Sequence, residues 1–153
     1  MKFGIFAVCR KARGWVAAGC DEYVKRMPRE LPVSIVEIKP AMGESRAQRL
    51  AAEKTRFLLA SRAFERRVAL DERGANLTTP ELARRVESWL QKGGDTAFMI
   101  GSAEGLDEEL KRNADESIRL SSLTLPHALA RLLLCEQLYR AATLLKNHPY
   151  HRE

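Results

Sequence analysis

Residues 147–153, NHPYHRE, set His148, Tyr150, His151 and Arg152 within five positions of one another. Tyrosine and histidine rings stack on unpaired bases, a guanidinium binds phosphate, and a histidine near neutrality takes or gives a proton. The four types together therefore suit an RNA substrate. Asn147 and Pro149 end the helix before them, so the cluster stands where a chain end is ordinarily unspecialised. A plain solubilising tail is the competing reading.

Two further stretches offer ligand-binding chemistry. Leu120 to His127, LSSLTLPH, places small hydroxyls and accessible backbone beside leucines. Gly101-Ser102-Ala103-Glu104-Gly105 reads as a turn between a strand and a helix, where glycine lets a ligand come close to the backbone. It is not a phosphate loop, because the GxGxxG and GxxxxGK[ST] patterns are absent and Glu104 would repel phosphate. A nucleoside ligand meets no such objection. The first strand is followed by Cys9, Arg10, Lys11, Ala12 and Arg13 instead of a glycine fingerprint, which disfavours the common dinucleotide sites.

Other chemistries find little support. Three histidines, with HxxH spacing in the tail but no cysteine or carboxylate signature around it, do not make a metal site, and none is expected. No serine has a nucleophile-elbow context. Cys9, Cys20 and Cys135 are an odd number without CxxC spacing, so neither a disulfide framework nor a zinc knuckle is indicated and a reducing cytoplasm is the expected home. No stretch approaches the ~20 apolar residues of a membrane span, and the apolar start is too short for a signal peptide. A net charge of +6 and a pI near 9.5 favour a polyanionic partner over an acidic one.

The elements that must position these residues follow from periodicity. With 153 residues, 45% of them hydrophobic, the chain suits a single domain spanning 1–153. Strands are expected at 2–9, 33–38, 68–70, 96–100 and 117–120. Helices are expected at 15–27, 44–62, 107–114 and 128–146, with another starting at Thr79 as N-cap and Pro80 as first helical residue and stopped by Gly93 and Gly94. Residues 72–77, ERGANL, read as a loop. Strand and helix alternate five times, which predicts an α/β fold with a mostly parallel sheet flanked by helices and a ligand site at the carboxyl ends of the strands. The candidate places are then 10–13, 71–76, 101–105 and 121–127. Within the last helix, Glu136 and Arg140 are spaced to pair, and the wide arc of leucines fits either a central buried helix or a homodimer contact.

Taken together, MKFGIFAVCRKARGWVAAGCDEYVKRMP, IGSAEGL, SLTLPHALARLLLCEQLYRA and the closing NHPYHRE resemble the bacterial ribosomal large subunit methyltransferase H family, of the SPOUT class, over the whole chain. The resemblance implies methylation of N3 of a pseudouridine in large-subunit rRNA, on the assembled ribosome, with S-adenosylmethionine as donor. It also implies a homodimer, and a C-terminal trefoil knot, a rare exception to unknotted chains. By the same resemblance the cofactor would touch Leu70, Gly101, Leu120, Ser121, Ser122, Leu123, Thr124 and Leu125, while Tyr150, His151 and Arg152 would serve the substrate. The family's usual GGPEG loop is altered here at Ser102 and Ala103. A ribosome-associated binding factor without catalysis and a SPOUT methyltransferase acting on tRNA are the alternatives.

Overall fold

The computed structural model describes residues 1–147 and 150, so His148, His151 and Arg152 of the terminal cluster lie outside the described residues. The strands β1 (Phe3–Val8), β2 (Val33–Ile38), β3 (Arg66–Asn76), β4 (Thr96–Ile100) and β5 (Glu116–Arg119) make one sheet in the order β2-β1-β4-β3-β5, with every pairing parallel. Between and after them come α1 (Gly14–Arg26), α2 (Arg46–Ala60), α3 (Thr79–Lys92), α4 (Glu108–Arg112) and α5 (His127–Leu145). The expected α/β architecture is the one observed.

The unbroken apolar run of β1 reflects a strand covered on both faces. Phe3, Ile5 and Ala7 pack with Val16 and Cys20 of α1, Val86 and Trp89 of α3, and Leu134 and Leu138 of α5. Phe6 and Val8 point the other way, into a smaller core with Phe57 of α2 and Leu110 of α4. Connections running toward the β2 edge carry their helix on the first face, and those running toward the β5 edge on the second. A single right-handed crossover rule demands that arrangement. After β5, at one edge of the sheet, the chain returns to lay α5 against both α1 and α3. The leucine-rich arc is wide because α5 has two helical neighbours and the sheet beneath it.

Two local expectations are corrected. The N-cap of α3 is Thr78, not Thr79: its hydroxyl accepts from the Glu81 N–H at 3.3 Å while the Glu81 carboxylate accepts from the Thr78 N–H at 2.7 Å. Only Thr78 has a glutamate three residues on to close this reciprocal box. Thr79 instead donates its hydroxyl to Gln137 Oε1 at 2.6 Å, tying α3 to α5. The second correction concerns residues 72–77, because β3 continues through Asn76 and pairs with β5 twice, Leu70 and Ala75 both facing Ile118 across a register shift. Asp71, Glu72 and Arg73 belong to the displaced segment, and the strand resumes because Gly74, lacking a side chain, can lie directly on the β5 backbone.

Candidate cofactor cleft and the docked tail

The carboxyl ends of β3, β4 and β5 open into one cleft of about 1250 Å³. Leu70 sits at the end of the buried part of β3, Gly101 follows β4, and Leu120, Ser121, Ser122, Leu123, Thr124 and Leu125 form the segment between β5 and α5. All eight residues expected around a cofactor line this cleft. Three of the four strand-end places therefore converge, while residues 10–13 stay outside it.

The turn after β4 is close-packed on itself. A Cβ on Gly101 would lie 2.3 Å from the Gly105 carbonyl oxygen, so only glycine fits. The Gly105 N–H donates to the Ser102 carbonyl at 2.9 Å, and Ser102 Oγ accepts from the Glu104 N–H at 3.3 Å. Ser102 and Ala103 thus keep a closed turn, the serine hydroxyl helping to hold it. From outside, Arg46 donates to the Glu104 carbonyl at 2.7 Å and Arg49 Nε to the Glu104 carboxylate at 3.0 Å, fastening the turn to α2. Arg46 also lines the cleft and was missed from the sequence, since it stands 58 positions before its partner.

The opposite wall is braced in the same manner. Arg119 Nε donates to the Ser121 carbonyl at 2.9 Å, and Ser121 Oγ accepts from the Leu123 N–H at 2.9 Å. Leu123 is left 76% exposed, an apolar side chain at the rim of a polar cleft. Charge around the space is mixed, with Arg46, Arg73 and Arg119 against Asp71, Glu72 and Glu104. Such a lining suits a ligand carrying both signs together with an apolar ring system better than a polyphosphate.

Tyr150 is placed elsewhere. Its hydroxyl donates to Glu136 Oε1 at 3.1 Å, its ring meets Tyr139 edge-on at 4.6 Å, and the Arg140 guanidinium lies 4.9 Å from its centroid. Arg140 also pairs with Glu136 at 2.8 Å, the contact predicted from their spacing. Glu136 and Arg140 follow Ala130, the last α5 residue on the cleft, by 6 and 10 positions, which is roughly 9–15 Å along a helix. Tyr150 does not line the cleft of its own chain. Burial, a hydrogen bond with Tyr23 and the Glu136 carboxylate push its ionisation above the usual tyrosine range. Its hydroxyl is thereby held in the protonated, donating form.

The shift has a consequence for stability. An unfolded tyrosine loses its proton near pH ~10, whereas folded Tyr150 retains it higher, so its contribution is complete below that pH and falls as pH rises toward the folded value. In an ultraviolet titration, Tyr150→Phe should remove a late-ionising phenol while Tyr23 and Tyr139 remain. Loss of an early-ionising phenol instead would contradict the docked position.

Among the described residues, no group of three His, Cys, Asp or Glu is placed to hold a metal ion, and no helix is long and apolar enough to cross a membrane. Cys9, Cys20 and Cys135 are free thiols.

Residues 1–151 match the family described as "Predicted SPOUT methyltransferase". The chain is 60% identical to a protein of Dechloromonas aromatica named "Ribosomal RNA large subunit methyltransferase H", covering 100% of this chain and 99% of that one. A protein of the same name from Nitrosospira multiformis is 54% identical, with 99% of each covered. Among solved structures, a probable methylase family protein from Haemophilus influenzae Rd KW20 is similar with a TM-score of 0.63 at 14% identity, over 97% of this chain and 69% of that one. A putative methylase family protein from Neisseria gonorrhoeae gives 0.57 at 12% identity, over 90% and 81%. These two likenesses concern the fold.

Proposed function

Because the chain belongs to the SPOUT methyltransferase family, and within it to the ribosomal RNA large subunit methyltransferase H group, we propose that it methylates N3 of a pseudouridine in large-subunit rRNA. It uses S-adenosylmethionine, acts on the assembled ribosome in the cytoplasm, and works as a homodimer. The observation that carries the reading is the convergence of Leu70, Gly101 and residues 120–125 on one cleft. The fit to the cofactor rests on the tight, backbone-lined turn at Gly101, the leucines opposite it and the mixed charge between them.

When bound, S-adenosylmethionine supplies a methyl group activated on a sulfonium. What the chain must add is position and proton removal. The turn 101–105 and the segment 121–125 hold the donor from two sides, with their backbone geometry fixed in advance by Arg46, Arg49 and Arg119. Tyr150, His151 and Arg152 position the target base and its phosphate, and His151 accepts the N3 proton. Tyr150 lies along α5 away from its own cleft, which supports a site completed by the tail of a second copy. The return of α5 from the sheet edge to its middle is compatible with the C-terminal knot that the family implies.

The decisive experiment offers methyl-labelled S-adenosylmethionine with intact large subunits, free rRNA and tRNA in parallel, alongside a calorimetric titration of the cofactor. Label on N3 of a pseudouridine of the large subunit is expected. Label on tRNA, or no saturable cofactor binding, would show the reading to be wrong. His151→Ala should lower the single-turnover rate and abolish the rise of rate through pH ~6.5 expected of a histidine acceptor. An unchanged rate and profile removes His151 as the proton acceptor.

A further inference from the structure

The loop after β1 lies outside the cleft. Arg10, Lys11 and Arg13 are exposed, and Trp15, in the first turn of α1, is 54% exposed while its neighbour Val16 is buried. Arginines 26, 49, 85, 131 and 140 each meet a carboxylate. Among the described residues, none of the three loop cations forms an ion pair. Arg10 reaches only the sulfur of Met42, at 3.9 Å.

The loop is nevertheless held firmly. Glu37 Oε1 accepts from the Ala12 N–H at 3.1 Å and from buried Arg131 of α5, also at 3.1 Å. The Cys9 N–H donates to the Ile38 carbonyl at 2.9 Å. Its cations are thus presented from a fixed backbone, with Glu37 already engaged. Ala7 of β1 is paired with Ile100 of β4, so this loop leaves the sheet beside the one that begins at Gly101. Neighbouring strands are only ~4.8 Å apart.

On the premise that the substrate is large-subunit rRNA, we propose that Arg10, Lys11, Arg13 and Trp15 dock unpaired nucleotides flanking the methylated one, the cations on phosphates and the indole stacked on a base. Unpaired RNA supplies both chemistries at once, a polyanionic backbone and a flat ring at each step. An acidic peptide would answer the charge and leave the indole unused.

The test uses the full chain with intact large subunits and a short unpaired oligoribonucleotide. Trp15 is exposed and Trp89 is 2% exposed, so the oligonucleotide should quench the parent's exposed tryptophan emission. Trp15→Ala should bind RNA about 10-fold more weakly and show the loss in KM, with Trp15→Phe recovering most of it. The variant R10S/K11S/R13S should reduce the slope of log K against log salt by about 2, at ~0.7 per lost single-strand phosphate contact. Titration with S-adenosylmethionine should be the same in all. The proposal is overturned if the variants bind and methylate like the parent, if they lose only their oligomeric state, or if polyglutamate quenches as well as RNA does. A parent that neither binds nor methylates large-subunit rRNA overturns the functional premise, and this proposal with it. A methylating parent matched by its Trp15 variants overturns this proposal alone.

Discussion

Gly101→Ala should weaken S-adenosylmethionine binding about 100-fold, equivalent to ~2.7 kcal/mol, while leaving the far-ultraviolet circular dichroism of the protein nearly unchanged. The added methyl would stand 2.3 Å from Gly105 O, 2.5 Å from Gly105 C and 3.0 Å from Leu106 N, all of them backbone atoms that no rotamer change can move. The turn must open instead. Drift of the turn as a unit is opposed by Arg46 and Arg49, which tether Glu104 to α2. β4 cannot yield either, with Thr96 to Ile100 buried at the middle of the sheet. The distortion is therefore confined to the turn that lines the cleft. Ser102→Ala is the control: it removes one 3.3 Å hydrogen bond from a turn still closed by its backbone, and should cost less than about 1 kcal/mol of affinity. Calorimetric titration of both variants checks the assignment. Gly101→Ala binding as tightly as the parent would remove the turn from the cofactor site.

The difference between these two neighbours shows what could be read from the residues and what could not. Gly101 was legible as a glycine ending a buried strand, and the rule that ligands gather at carboxyl strand ends pointed to 101–105 and 121–127 beside 10–13 and 71–76, whereas Leu70 and Leu120 came from the family resemblance. Its 2.3 Å approach to the Gly105 carbonyl is a property of the folded turn, invisible in a string of five letters. The apolar run of β1 was legible because both its faces are covered. Residues 72–76 read as a loop because a polar, glycine-containing stretch has that local signature, whereas their strand character comes from pairing with β5, more than forty positions later. The α3 cap was misread by one residue because Thr78 and Thr79 are chemically alike, and only Glu81 chooses between them. The Arg49 to Glu104 tether has no local signal at all, the two residues being 55 positions apart. In the tail, the residue types suited RNA, and the family resemblance made the stretch a candidate site. The docking of Tyr150 on Glu136 and Arg140 extends a pair that helical spacing had already identified.

Gly74→Ala should lower the free energy of unfolding by about 2–3 kcal/mol in a denaturant titration. A Cβ there would lie 2.7 Å from Ile118 N, Ile118 C and Ser117 C, so β5 itself would have to retreat. The strand has little to hold it in place. It is four residues long, sits at the sheet edge and pairs only with β3, its other anchor being Glu116, which binds Trp89 Nε1 at 2.5 Å and the Arg85 guanidinium. Displacing β5 also withdraws Ile118, 2% exposed, from the core it shares with Val68, Leu82 and Val86. The damage then travels along the chain, because Arg119 braces Ser121 and the segment after it is one wall of the cleft. Cofactor affinity should accordingly fall together with stability, unlike the response to Gly101→Ala, where affinity falls with little change of fold. Amide exchange should locate the cause, with protection lost at Ile118 and Arg119 and retained in β1 and β4. If Gly74→Ala matched the parent in stability and exchange, β3 would not continue against β5 beyond Leu70, and residues 72–77 would be the loop that their composition suggests.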